Sequence, residues 1–115
     1  MSFKIINLDT IKQSMMGNEE LIKQLVDLYI VQSPTDFKAL EDAIISGELD
    51  VIRERAHHIK PTMQYIGADN LLQYFQILEA KAKERVSIAE IEDIFLQIKP
   101  KFQLMLDELH SLSTS

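Results

Sequence analysis

The sequence has no cysteine, and only three glycines and three prolines in 115 residues. Without cysteine there is no disulfide framework, no thiolate metal cage and no thiol nucleophile. So few glycines and prolines leave little material for the tight turns of hairpins, which tilts the chain toward helices. No apolar run approaches the roughly 20 residues of a membrane span; Leu28-Tyr29-Ile30-Val31 is a typical burst. The segment Met1–Asn7 lacks the long apolar stretch of a secretory signal, so a cytoplasmic protein without membrane association is expected. A surplus of positive charge is missing too. The net charge of −6 argues against a nucleic-acid binder, whose phosphate contacts need a basic face.

What is present is the composition of an ordinary globular protein, 46% hydrophobic and 26% charged. The length suffices for one domain with a real core and is too short for two, so residues 1–115 are read as a single domain. No internal repeat, low-complexity tract or linker-like stretch divides them. Charge is unevenly spread. Residues 51–85 hold six basic side chains (Arg53, Arg55, Lys60, Lys81, Lys83, Arg85) against four acids (Glu54, Asp69, Glu79, Glu84). That window is +2, which leaves −8 for the rest of a chain of net −6. The mild basic island surrounds the chain's one pair of adjacent histidines.

Apolar residues recur at helical spacing throughout. Asp9 or Thr10 is placed to cap a short first helix, and Gly17-Asn18 to end it. Leu21, Ile22, Leu25, Leu28 and Tyr29 then share one face. Ser33-Pro34-Thr35-Asp36 reads as a capping box with proline at the first helical position, opening a stretch that buries Phe37, Leu40, Ile44 and Ala43. Whether Pro34 breaks one long helix or only kinks it stays open. From about Glu48, a narrow stripe of Ile52, Ala56, Ile59, Met63 and Ile66 runs to Gly67. Asp69 is placed to cap the next helix, with Leu71, Phe75, Leu78 and Ala82 inside. Ser87-Ile88-Ala89-Glu90 is another capping box. It opens a last helix carrying Ile91, Ile94, Ile98, Phe102, Met105, Leu109 and Leu112. That stripe keeps its phase across Pro100, which predicts one kinked helix there. The expected fold is all-α: an antiparallel four-helix bundle with a short extra N-terminal helix.

The informative segment is Arg53-Glu54-Arg55-Ala56-His57-His58-Ile59-Lys60-Pro61. At about 100° per residue, His57 points roughly 140° from the centre of the apolar stripe, and His58 roughly 120° away on the other side. Both are expected to be exposed, so their neighbours discriminate between them. His57 has Arg53 one turn before it and Lys60 one turn after, with Gln64 further along the same side. His58 has Glu54 at i−4, Pro61 and Thr62 ahead, and Tyr65 beyond. A group that carries a doubly negative phosphoryl needs nearby cations and donors, and only the His57 side supplies them. Two cations also disfavour imidazolium and keep a neutral, nucleophilic ring. Pro61 cannot donate to the carbonyl four residues earlier, which is that of His57 itself, so a slightly opened backbone is expected there.

The run Ala56-His57-His58-Ile59-Lys60-Pro61-Thr62-Met63-Gln64-Tyr65-Ile66-Gly67-Ala68 resembles the central motif of histidine phosphotransfer domains, A-H-x-L-K-G-S-x-x-x-x-G-A. Pro34, the Gly47-Glu48 turn, Leu71 and Leu78-Glu79 also fall where that family's pattern expects them. The resemblance covers roughly residues 25–82, half the chain. It implies that His57 is the phospho-accepting residue and Lys60 its phosphate-facing cation, with Gly67 at the end of the histidine-bearing helix. Pro61 is the main departure, since the family usually has glycine there; it bears on the approach geometry at the histidine.

The resemblance further implies a carrier, not an ATP-dependent kinase. His57 would take a phosphoryl group from an aspartyl phosphate and pass it to another receiver. The implied partners are receiver domains of response regulators and of a hybrid sensor histidine kinase, and a monomer is expected. The receiver would contribute any metal; no cofactor is implied for this chain. The chain has no Gly-rich phosphate loop. Arg53 and Gln64 are candidate phosphate helpers, with a solvated surface side chain as the plain alternative for each. A metal site is not expected, because adjacent histidines point about 100° apart on a helix and the recurrent helical metal pair is i, i+3 or i, i+4. His110 is assigned no role, and the five methionines read as core filler. Two rival readings remain. One is a helical docking module inactive in phosphotransfer. The other is a hydrolase with His57 as base, for which no nucleophile is suitably spaced.

Overall fold

The computed structural model describes residues 3–114. Five helices follow one another: α1 (Leu8–Ser14), α2 (Glu19–Ser46), α3 (Leu49–Tyr65), α4 (Asp69–Lys83) and α5 (Ile88–Thr114). No strand occurs among the described residues. Connections of a few residues make successive long helices antiparallel neighbours. Helix α3 packs on α2 and α4, and α5 closes the ring against the same two, while α1 lies across α2 and α3. The all-α bundle with a short N-terminal extra helix is therefore the observed architecture.

The stripe of α3 is buried as its spacing predicts: Ile52, Ala56, Ile59, Met63 and Ile66 all lie in the shared core. Leu71, Phe75, Leu78 and Ala82 of α4 meet them there. Across the bundle, Phe37 of α2 stacks on Phe102 of α5 with ring centroids 4.1 Å apart, and Phe75 meets Phe102 edge-on at 6.2 Å. Such aromatic pairs add to what area burial alone contributes.

Several local expectations are corrected. Ser33-Pro34-Thr35-Asp36 caps nothing, because α2 runs unbroken from Glu19 to Ser46 with Pro34 inside it. Val26, Ser33 and Leu40 are buried at steps of seven, so the buried line holds its phase across the proline. Pro34, Pro61 and Pro100 are all on exposed faces. There, the carbonyl that each proline leaves without an amide partner can turn to water. Helix α5 accordingly passes through Pro100, as its periodicity predicts. Leu21 and Leu28 are exposed, and Val26 takes the buried place. In one continuous helix, the C-terminal half that packs through Ser33, Leu40 and Ala43 sets the rotation of the N-terminal half as well. On α5, Ile94 is only partly buried, and Phe95 and Glu108 join the inward face.

The caps differ in detail. Asn7, not Asp9 or Thr10, starts α1 by accepting from the Thr10 backbone N–H at 3.1 Å. Asn18 opens α2 in the same way through Leu21. Ala68 precedes α4 without a side-chain cap, so Asp69 is the first helical residue. Ser87 does open α5, its Oγ accepting from the Glu90 N–H at 3.2 Å. Ahead of α1, the carboxylate of buried Glu108 accepts from the backbone N–H groups of Lys4, Ile5 and Ile6 at 2.8 to 3.3 Å, fixing that segment onto α5.

Gly67 ends α3 with φ +68°, a left-handed conformation that side-chain-bearing residues rarely adopt. A Cβ there would lie 2.6 Å from the Asn7 Cβ and 2.8 Å from the Thr10 Cβ. Glycine thus also lets α1 approach, and the Asn7 N–H donates to the Ile66 carbonyl at 2.9 Å.

Candidate functional site

Helix α3 places His57 on its outer face because Ala56 and Ile59 turn inward on either side. The His57 side chain is 70% exposed. It does not stand alone there. Glu79 reaches across from α4, with Oε1 at 3.2 Å and Oε2 at 3.4 Å from His57 Nδ1. Lys60, one turn after His57, places its Nζ 2.7 Å from Glu79 Oε2. The lysine is 23% exposed and the glutamate 20%, so this pair is mostly withdrawn from water. One carboxylate thereby ties the histidine and the lysine together.

The electrostatics follow from that arrangement. Partial burial of Glu79 pushes its carboxyl upward, but the hydrogen bonds and charges of Lys60 and then His57 outweigh it and hold the group below the usual carboxylate range. Glu79 is therefore ionised at neutral pH. An ionised carboxylate can only accept hydrogen bonds, so Nδ1 of His57 carries the ring's proton. In the neutral ring, this leaves the Nε2 lone pair as the nucleophile. The logic is that of any imidazole oriented by a carboxylate on its far nitrogen.

Beside His57 lies an open depression of about 310 Å³ lined by Asp50, Arg53, Glu54, His57 and Glu79. Arg53 thus shares the site, as its spacing suggests. It has no ion-pair partner among the described residues, whereas Asp50 is engaged by Arg85 at 3.3 Å. Gln64 is exposed two turns further along α3, about 10 Å of rise from His57. Pro61 is exposed beside Lys60, and α3 continues through it to Tyr65. Gly67 is not brought to the histidine; it lies about 15 Å of helical rise away, against α1. His58 faces elsewhere, its Nε2 3.7 Å from Asp36 of α2.

The sequence reading gave His57 cationic neighbours only, and the acid on its ring is a correction to it. Glu79 sits next to inward-facing Leu78, at the edge of the apolar stripe of α4. Periodicity places it on a flank, but only the pairing of α3 with α4 decides which flank meets the histidine. The signal that reached it was its place in the resemblance, beside Leu78.

The sequence matches no protein-family model, and no curated protein matches it. Solved structures do. The chain superposes on histidine-containing phosphotransfer protein B from Pseudomonas aeruginosa with a TM-score of 0.87 at 19% identity, covering 98% of this chain and 97% of that one. It also matches the phosphotransfer domain of a sensor hybrid histidine kinase from Shewanella, with a TM-score of 0.70 at 16% identity over 95% of this chain and 87% of the other. The chain has the fold of these proteins.

Proposed function

We propose that this chain, like the proteins whose fold it shares, is a phosphorelay carrier in which His57 accepts a phosphoryl group from an aspartyl phosphate and passes it to a second receiver domain. The single observation that carries this reading is the exposed His57 with its Nδ1 held by Glu79 and its Nε2 free to attack. The Nε2 lone pair attacks phosphorus in line with the aspartyl oxygen. An Nε2–P bond forms, the P–O bond breaks, and its electron pair leaves with the aspartate. Lys60 and Arg53 supply positive charge on the approach face, Gln64 a further donor, and Pro61 shapes the backbone beside the ring. Gly67 acts on the site only through the end of α3 and its packing on α1.

In this reading residues 1–115 work as one phosphotransfer domain, a cytoplasmic monomer that serves receivers of a hybrid sensor kinase and of response regulators. It is a carrier without ATP-dependent kinase activity. No helix among the described residues is long and apolar enough to cross a membrane.

Transfer of labelled phosphoryl from a panel of phosphorylated receiver domains tests the proposal. His57→Gln is expected to abolish acceptance and His58→Gln to leave most of it, with label that is lost in acid and stable in alkali. Label that survives His57→Gln and disappears in His58→Gln would assign the chemistry to the other ring.

A further inference from the structure

Glu108 is a buried acid that the proposed chemistry does not use, 8% exposed on the inward face of α5. Its carboxylate accepts from three successive backbone N–H groups near the start of the chain: Lys4 at 2.8 Å, Ile5 at 3.0 and 3.3 Å, and Ile6 at 3.0 Å. Two oxygens, both acceptors, suit three converging donors. The same segment is fastened at its other end to the helix that bears His57. The Asn7 N–H donates to the Ile66 carbonyl at 2.9 Å, and the Ser14 hydroxyl to the Tyr65 carbonyl at 3.2 Å. These carbonyls lie at the C-terminal end of α3, where a helix has no amides of its own left to offer. That end is also weakly joined to the rest of α3. Pro61 has no N–H, so the turn beyond it has one bond fewer to the turn of His57.

From this arrangement we infer that residues 3–17 form a clasp latched by Glu108, which opens as one unit while α2, α4 and α5 stay folded, and which sets the order of α3 beyond Pro61. The inference goes beyond the carrier role and does not depend on it. Helix α1, seven residues long, is too short to hold its shape alone. What fixes the segment is the Glu108 latch, the burial of Ile6 and Ile11 in the shared core, and the seat against Gly67. Two successive left-handed residues, Met16 at φ +56° and Gly17 at φ +71°, make the joint between the clasp and α2. When the latch opens, the N–H groups of Lys4, Ile5 and Ile6 pass to water. The carbonyls of Tyr65 and Ile66 then lose their partners, and nothing outside the helix holds the turn beyond Pro61. The coupling runs both ways: a partner that takes hold of the clasp loosens the end of the His57 helix, and one that orders that end tightens the clasp.

Amide hydrogen exchange of the whole chain, followed by NMR in low urea, tests this. Two sets of hydrogen-bonded amides are compared: Ile5, Ile6, Asn7 and Ile11 in the clasp, and Ile66, Gly67 and Ala68 at the end of α3. In the wild type, both sets are expected to open with one shared dependence on urea, shallower than that of Phe75 and Phe102 in the core of α4 and α5. Glu108→Gln keeps the shape of the side chain but turns an NH2 group toward backbone donors. It should speed exchange in both sets at least about tenfold and leave Phe75 and Phe102 little changed. A clasp that opens only with the whole molecule, or an end of α3 that stays protected while the clasp opens, overturns the inference. So does a variant that matches the wild type or speeds every helix equally. Should Glu108→Gln prevent folding, the wild-type urea series decides alone.

Discussion

Glu79 carries the electrostatic burden of the site, and its ionisation makes a thermodynamic prediction separate from catalysis. Its carboxyl titrates below the usual 4.5 in the folded chain. The stability it contributes is therefore fully present above the unfolded value and is lost as pH falls through the lower folded value. Glu79→Gln should cost on the order of 1 kcal/mol near neutrality, since the pair with Lys60 is mostly but not wholly withdrawn from water. Compared by urea unfolding between about pH 5 and pH 3, the wild-type advantage should shrink toward zero. An advantage that stays constant or grows in acid would contradict the ion-pair assignment. The exposed placement of His57 on α3 was legible in the sequence. Its angle from the buried stripe of α3 and its place between Arg53 and Lys60 needed nothing beyond helical geometry. The carboxylate on its ring was not legible in that way, because it arrives from another helix.

Among the elements, α3 and α4 followed directly from spacing, since every stripe residue named for them is buried. The misreading fell on α2, where Pro34 carries two conflicting signals. Proline after serine is a strong start signal at the level of local propensity, yet Val26, Ser33 and Leu40 keep one phase through it. Tertiary packing of a long buried line won over local punctuation, and the exposed position of the proline made that inexpensive. Phase continuity decided Pro100 correctly; applied to Pro34, it would have found the single helix. The junction of α3 with α1 makes a sharper prediction. Gly17 and Gly67 both have φ near +70°, but a Cβ at Gly17 meets nothing within 4 Å, whereas one at Gly67 meets Asn7 and Thr10 below 3 Å. Gly17→Ala should therefore cost about 1–2 kcal/mol from backbone conformation alone. Gly67→Ala adds an overpacking cost of about 1–3 kcal/mol. Thermal or urea unfolding of the two variants measures the difference, and equal losses would mean that α1 does not rest on Gly67.

Over the whole molecule, some 43 × 22 × 20 Å, the candidate site occupies one face of a simple ring of helices. The α3–α4 pair keeps only a slight basic surplus, five cations against four acids, and most of the acidic surplus falls on α2 and α5. An anionic partner of the kind the proposed function requires would meet less repulsion from α3 and α4 than from α2 and α5. Composition and periodicity were enough for the fold class, because 115 residues of amphipathic helix with short turns admit few packings. The order of helices around the core, and with it the meeting of His57, Lys60 and Glu79, required the three-dimensional structure. In the proposed cycle, phosphorus resides on Nε2 of His57, the nitrogen turned away from Glu79. Phosphorus–nitrogen couplings in the 15N-labelled chain, phosphorylated by a receiver, test it most directly. Coupling to Nε2 of His57 and no phosphorus on His58 are expected; phosphorus on Nδ1 of His57, or on either nitrogen of His58, would overturn the proposed chemistry.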